Sequence, residues 1–261
     1  MDLTVFPPFF FSLSVAVVAD LGKFLHWRVK LMEIGTQLLN MTTVNTMVQI
    51  HDYEGVSMFS SNDATKAAAK ETVKIFGDHY PELLSRKFFI NVPWVLSGFY
   101  TFMLPFIPAR TAKKFVVCSS SYKEELLAVI PAENLPIKYG GLSRMGNETL
   151  PVEAPKILLE MIPLKTTVAS RTFFASEIKV EQAATVFWEF VLLADDIEFA
   201  CNFVDAEGKL TNVETVKKVG ANLTIGKFDA PSAGTLKLIW DNGYSIFTSK
   251  TVFHRHSVVP K

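Results

Sequence analysis

The feature that most constrains this chain is a change of rhythm near residue 151. Before it, helical segments alternate with short apolar runs; after it, Pro and Gly punctuate a succession of β-rich runs. Residues 21–40 carry Phe24, Leu25, Val29, Leu31, Met32, Ile34, Leu38 and Leu39 at helical spacing, with Lys23, Arg28, Lys30, Glu33 and Gln37 between them. That pattern predicts an amphipathic helix. A β-like run at 46–53 follows, then Asn62-Asp63 as a helix start and an Ala/Lys-rich helix at 64–76. The alternation repeats with a strand at 87–92, a bulky apolar helical stretch at 94–107 interrupted by Pro105, a strand at 114–118 and a helix at 122–130. Alternation of this kind implies an α/β layer with a largely parallel sheet. The later runs, near 187–193, 198–204, 210–217, 223–227, 235–240 and 245–253, have the length and spacing of an all-β sandwich.

The chain therefore divides into an apolar segment at 1–20, an α/β domain at 21–142, a linker at 143–155 and a β domain at 156–258. With 49% hydrophobic residues in 261, both domains can fill a core. The 22 Phe, crowded toward the first half, suit either a large apolar cavity or a Phe-rich core. Lys plus Arg and Asp plus Glu both number 26, and no long basic run offers a nucleic-acid footprint. Cys118 and Cys201 lie far apart without metal-type spacing, as expected of reduced, buried thiols. Segment 1–20 is apolar enough to resemble a signal or membrane segment. Asp2 in place of a basic start, the Pro7-Pro8 break and its short length argue against both.

Three motifs in order resemble the CRAL-TRIO lipid-binding domain of phosphatidylinositol transfer proteins and patellins. They are His79-Tyr80-Pro81-Glu82, Phe89-Ile90-Asn91-Val92-Pro93-Trp94, and Ser120-Ser121-Tyr122 with Pro131-Ala132-Glu133-Asn134-Leu135-Pro136 and Tyr139-Gly140-Gly141. In the second half, Trp188-Glu189-Phe190, Ala230-Pro231-Ser232-Ala233-Gly234, Trp240-Asp241-Asn242 and Ser249-Lys250 resemble a GOLD domain. The resemblance implies a CRAL-TRIO α/β layer, N-terminally shortened, followed by a jelly-roll-like GOLD sandwich. The helical lobe and first strands that the family places before residue 21 are not recognisable, which puts a closed pocket in question.

By the same resemblance, Glu82, Thr111 and Lys114 match the phosphoinositide headgroup set. Lysine donates to phosphate, threonine adds a hydroxyl donor, and glutamate holds the lysine or accepts from an inositol hydroxyl. Spacing alone favours a surface ion pair beside a helix-capping threonine, and it is the family match that points to lipid. The gate over the acyl chains corresponds to 94–106, with Trp94, Phe99, Tyr100, Phe102, Met103, Leu104 and Phe106. An apolar helix without a charged face must bury against lipid or protein core.

Within Ile50-His51-Asp52-Tyr53-Glu54-Gly55, strand alternation sends His51 and Tyr53 to one face and Asp52 to the other. A haem-binding fungal branch of the family is similar here, which implies Tyr53 on iron with His51 beside it. The residues themselves favour a tyrosine in a pocket wall and a hydrogen-bonded histidine. His254-Arg255-His256 lacks a third metal ligand and reads as an exposed strand edge. There is no nucleophile elbow, phosphate loop or zinc-protease motif.

The expectation is a non-enzymatic, cytoplasmic, peripherally membrane-associated protein. It needs no cofactor, binds a phosphoinositide or other membrane lipid, and meets membranes or trafficking proteins through its GOLD half. Two rivals remain open: a haem binder through Tyr53 and His51, and a trafficking interaction protein whose lipid pocket is non-functional.

Overall fold

The computed structural model describes residues 20–55, 63–93, 104–144 and 154–261. Packing gathers the chain into two compact units, Met1–Glu125 and Leu126–Lys261. Composition places the linker at 143–155, of which 145–153 lie outside the described residues. The motif segment 131–143 folds with the second unit.

In the first unit, α1 (Leu21–Gln37) starts where the Asp20 side chain accepts from the Lys23 backbone N–H at 3.0 Å. Then come β1 (Met47–Asp52), α2 (Asp63–His79), β2 (Leu84–Ile90), α3 (Ala109–Ala112), β3 (Phe115–Val117) and α4 (Tyr122–Leu127). The strands form a parallel sheet in the order β1-β2-β3, with Gln49 beside Lys87, His51 beside Phe89, and Lys87 beside Phe115. This is the expected helix-wrapped sheet. Phe24 and Ala68 form the α1–α2 contact, and the Tyr80 hydroxyl donates to Glu33, tying the end of α2 to α1. Segment 1–19 and the predicted gate from Trp94 through Phe99, Tyr100, Phe102 and Met103 lie outside the described residues.

The second unit opens with α5 (Lys156–Glu160) ahead of eight strands: β4 (Leu164–Val168), β5 (Phe173–Val180), β6 (Ala184–Leu192), β7 (Asp196–Asp205), β8 (Leu210–Gly220), β9 (Leu223–Ala230), β10 (Gly234–Asp241) and β11 (Lys250–Pro260). They make two antiparallel sheets, β5-β10-β7-β8 and β4-β11-β6-β9. The core between them holds Trp188, Phe190, Phe199 and Trp240, with Phe190 meeting Trp240 edge-on at 5.4 Å. Gly226 stands opposite Trp188 because a Cβ there would come within 2.4 Å of the indole ring.

Residues 131–143 form a tight knot on the outside of this sandwich. Leu142 donates to the Ala132 carbonyl at 2.7 Å and Ser143 to Leu135 at 2.9 Å. Gly140 has φ +89°, and a Cβ on Gly141 would lie 1.9 Å from the Leu135 carbonyl oxygen, so the Gly140-Gly141 pair is a requirement of folding here. Ala132 and Leu142 pack on Val191 and Phe253.

The exposed edge expected at His254-Arg255-His256 is corrected by the structure. β11 lies between β4 and β6, and His254 and Arg255 are buried. Arg255 reaches the buried Glu189 carboxylate at 2.6 Å and the Leu159 and Met161 carbonyls at 2.9 and 3.0 Å, while Arg144 meets the other Glu189 oxygen. A central strand can carry Arg255 because Glu189 and two carbonyls take up its guanidinium, while His254 Nε2 pairs with the Thr166 hydroxyl at 3.0 Å.

Candidate functional site

The three residues expected to form a headgroup site lie in one neighbourhood of the first unit, and the chain's turns explain how. Pro81 and Glu82 form the turn that joins α2 to β2, and Glu82 adopts φ +61°, a left-handed conformation unusual for a residue with a Cβ. The side chain is aimed across to the α3–β3 corner. There Thr111 and Ala112 donate to the Pro108 carbonyl at 2.8 and 2.9 Å, and Lys114 N–H donates to Thr111 at 2.9 Å. The Lys114 carbonyl in turn accepts from Lys87 N–H at 2.8 Å, fixing the corner to the sheet.

Lys114 Nζ stands 3.3 Å from Glu82 Oε2, and Arg110 Nη1 stands 3.4 Å from Glu82 Oε1. Lys114 is three-quarters covered while Glu82 and Arg110 face outward. The cluster thus has two cations around one carboxylate, an excess of donors at an accessible rim. Arg110 was not singled out from the sequence. Its signal was only its place one residue before Thr111, which becomes informative once α3 is seen to turn it toward Glu82.

A second cluster lies on the face of the sheet that carries His51 and Tyr53. Phe89 is the register partner of His51, its ring 5.5 Å from the His51 ring and 6.2 Å from that of Tyr53. Asp52 points away, as expected. Its carboxylate accepts from Glu54 N–H at 2.9 Å and from the Asn91 amide at 2.8 Å, and the turn closes at Gly55 with φ +76°.

The face also carries two cations that sequence reasoning missed, Arg28 from α1 and Lys87 from β2. Burial, assisted by the charges of Lys87 and Arg28, holds His51 well below the usual imidazole range. Burial raises the Tyr53 phenol above its ordinary value, with Arg28 opposing. Burial and then the Arg28 charge bring Lys87 down to about 7. Register with Gln49 and Phe115 shows which face Lys87 takes.

Of the predicted gate, Phe106 is described: it is partly exposed, with Lys70 Nζ 4.7 Å from its ring centre. Among the described residues no group of three or more His, Cys, Asp or Glu has metal-site geometry, and no helix is long and apolar enough to cross a membrane. Cys118 and Cys201 are free and buried.

Comparison with known proteins places this architecture. Residues 10–141, about half the chain, match the CRAL/TRIO domain. The chain belongs to the CRAL/TRIO domain family. Similar proteins include a phosphatidylinositol transfer protein SFH5 of Scheffersomyces stipitis, 45% identical over 140 residues, covering 52% of this chain and 42% of that protein. Patellin-6 of Arabidopsis thaliana is 32% identical over 247 residues, covering 91% of this chain and 57% of its own length. Patellin-4 of the same plant is 33% identical over 228 residues, covering 84% of this chain and 41% of itself. The chain thus spans about half the length of these relatives. The patellin matches continue through the β-sandwich, whereas the transfer protein matches about half of the chain.

Proposed function

We propose that this protein binds a glycerophospholipid of the phosphoinositide class and works at cytosolic membrane surfaces. The CRAL/TRIO part holds the lipid, and the sandwich supplies contacts to the membrane or to trafficking proteins. The observation that carries this is the Glu82 rim. Lys114 and Arg110 each present donors within 3.4 Å of one carboxylate, so a phosphate can engage both cations while Glu82 orients them or accepts from a sugar hydroxyl. Thr111, held by the same corner, contributes its hydroxyl. Acyl chains would be taken up against the apolar gate residues Trp94, Phe99, Tyr100, Phe102, Met103 and Phe106.

Membrane contact is supported in the sandwich by the β10–β11 connection. Phe247 is 93% exposed and Ile246 55% exposed, yet the loop beneath them is rigidly tied. The Asn242 amide donates to the Val168, Ala169 and Thr248 carbonyls at 3.2, 3.1 and 2.9 Å. An ordered apolar tip loses little conformational freedom when it enters a lipid interface. None of these roles requires covalent chemistry, since the ligand is held by burial and headgroup pairing.

The test is transfer of radiolabelled phosphatidylinositol between vesicles by the wild type and by Lys114→Ala. Loss of transfer with the fold retained supports the rim; equal transfer removes it. A second reading, haem held through Tyr53 with His51 adjacent, is favoured by one observation: both side chains share a half-buried face with Arg28, whose charge opposes the rise in the Tyr53 pKa. The donor set fits the group in kind, phenol and imidazole for iron and cations for propionates. Haem would bring its own absorption band near the Soret region.

A further inference from the structure

Lys87 is unexplained by the rim reading. It sits within β2, not at its end, on the face shared with His51, Tyr53 and Phe89. Its ammonium lies 5.4 Å from the Phe115 ring centre and 5.8 Å from that of Phe89, with no carboxylate paired to it among the described residues. The charge acting on it is another cation, Arg28 of α1. Half-burying a lysine between two phenyl rings without a counter-charge is unfavourable for folding, and a methionine of similar length would suit that face better. A cost of this kind is met when an anion arrives.

We propose that Lys87, with Arg28 beside it and the His51 and Tyr53 side chains as hydrogen-bonding neighbours, is a half-buried oxyanion site on the sheet face that takes the phosphodiester of a glycerophospholipid. It goes beyond the rim at Glu82, Thr111 and Lys114, since it needs none of those side chains. The phenyl rings around the ammonium select an oxyanion carried on an apolar body, because a hydrated free phosphate would lose solvent there without apolar contact in return.

The site has a pH signature of its own. Around neutrality Arg28 of α1 is charged, while His51 of β1 and Tyr53 just beyond it are neutral; β3 places Phe115 beside Lys87. Lys87 changes charge there, with its empty-site value at about 7. A bound phosphodiester keeps the proton on Lys87. Affinity therefore falls as pH rises above about 7, approaching tenfold per pH unit until the bound-state value is reached. The phosphodiester itself does not titrate in this range.

The experiment uses the full chain and vesicles of phosphatidylcholine doped with pyrene-labelled phosphatidylinositol, with pyrene-labelled diacylglycerol as the uncharged twin. Wild type should lose phosphatidylinositol affinity as pH is raised above about 7, and the diacylglycerol signal should stay flat. In Lys87→Met the affinity should drop on the order of tenfold near neutral pH and lose its pH dependence, while the melting temperature holds or rises. A Lys87→Met variant that keeps the wild-type affinity and slope overturns the proposal. So does competition by inorganic phosphate alone, which would make the site one for a free anion. Lys114→Ala separates the two sites. If it abolishes binding while Lys87→Met does not, the sheet-face site is wrong and the rim stands; if the slope survives in Lys114→Ala and vanishes in Lys87→Met, the rim is wrong and the sheet-face site stands. A wild type that takes up neither lipid overturns both.

Discussion

Glu189→Gln should weaken the β-sandwich severely. Glu189 is fully buried, and both of its oxygens are committed, one to Arg255 at 2.6 Å and the other to Arg144. Arg255 is itself 3% exposed, so neutralising the carboxylate leaves one guanidinium in the interior and a second at its margin without a counter-charge. Breaking a buried pair from one side costs about 3–5 kcal/mol. The unit spans Leu126–Lys261, and an unfolding entropy of roughly 2.1 cal/mol/K per residue converts that loss into a fall in melting temperature of about 10–17 °C. The assay is a thermal melt followed by near-ultraviolet circular dichroism, where the buried Trp188 and Trp240 report the sandwich core. The triple variant Arg144→Met, Glu189→Leu, Arg255→Met should recover most of the loss, because no orphaned charge remains. A single variant that melts within about 3 °C of the wild type would refute the idea that this network holds the 131–144 knot and α5 to the sheet.

Other expectations follow from the same structure. Lys114→Ala should reduce phosphatidylinositol transfer about tenfold or more with little change in melting, since Lys114 makes one ion pair at an accessible rim. Phe247→Ser should lower co-sedimentation with phosphatidylcholine vesicles several-fold and leave the fold intact, because Phe247 is almost wholly solvent-exposed. His254 is held neutral by burial, and then by the neighbouring His256, at about 4, below its unfolded value near 6.5. The unfolded chain therefore binds more protons in that window, so sandwich stability should fall as pH drops from about 6.5 toward 4, by on the order of 3 kcal/mol, and His254→Leu should flatten the slope in a denaturant titration series. Tyr53→Phe should abolish any porphyrin absorption seen in the purified chain; unchanged absorption would remove the tyrosine as ligand.

The α/β half was legible because its helices carry strong periodic stripes and its strands are short apolar runs between them. The sandwich was legible in outline, yet β4 and β5 escaped. Both are edge strands, and sequences such as Leu164-Lys165-Thr166-Thr167-Val168 bury one face only partly, so alternation is weak. The strand expected at 245–253 begins only at Lys250, because Asn242 and Ser245 bind the preceding segment into a loop. Glu82 and Lys114 were found through family resemblance, and their pairing confirms that the turn and corner face each other. Lys87 and Arg28 could not be found that way. A lysine in a strand normally marks the solvent face, and only the register with Gln49 and Phe115 shows that this one shares the face of His51. Glu189, Arg144 and Arg255 were opaque for the same reason, since charged residues far apart in sequence give no sign that they meet inside.

The central claim is lipid binding by the CRAL/TRIO part, and native mass spectrometry of the purified chain with an absorption spectrum on the same sample tests it most directly. The account predicts a colourless protein carrying one glycerophospholipid, lost in Lys114→Ala. A protein that carries no lipid, and acquires none from phosphatidylinositol vesicles, would contradict it and leave the β-sandwich as the functional part.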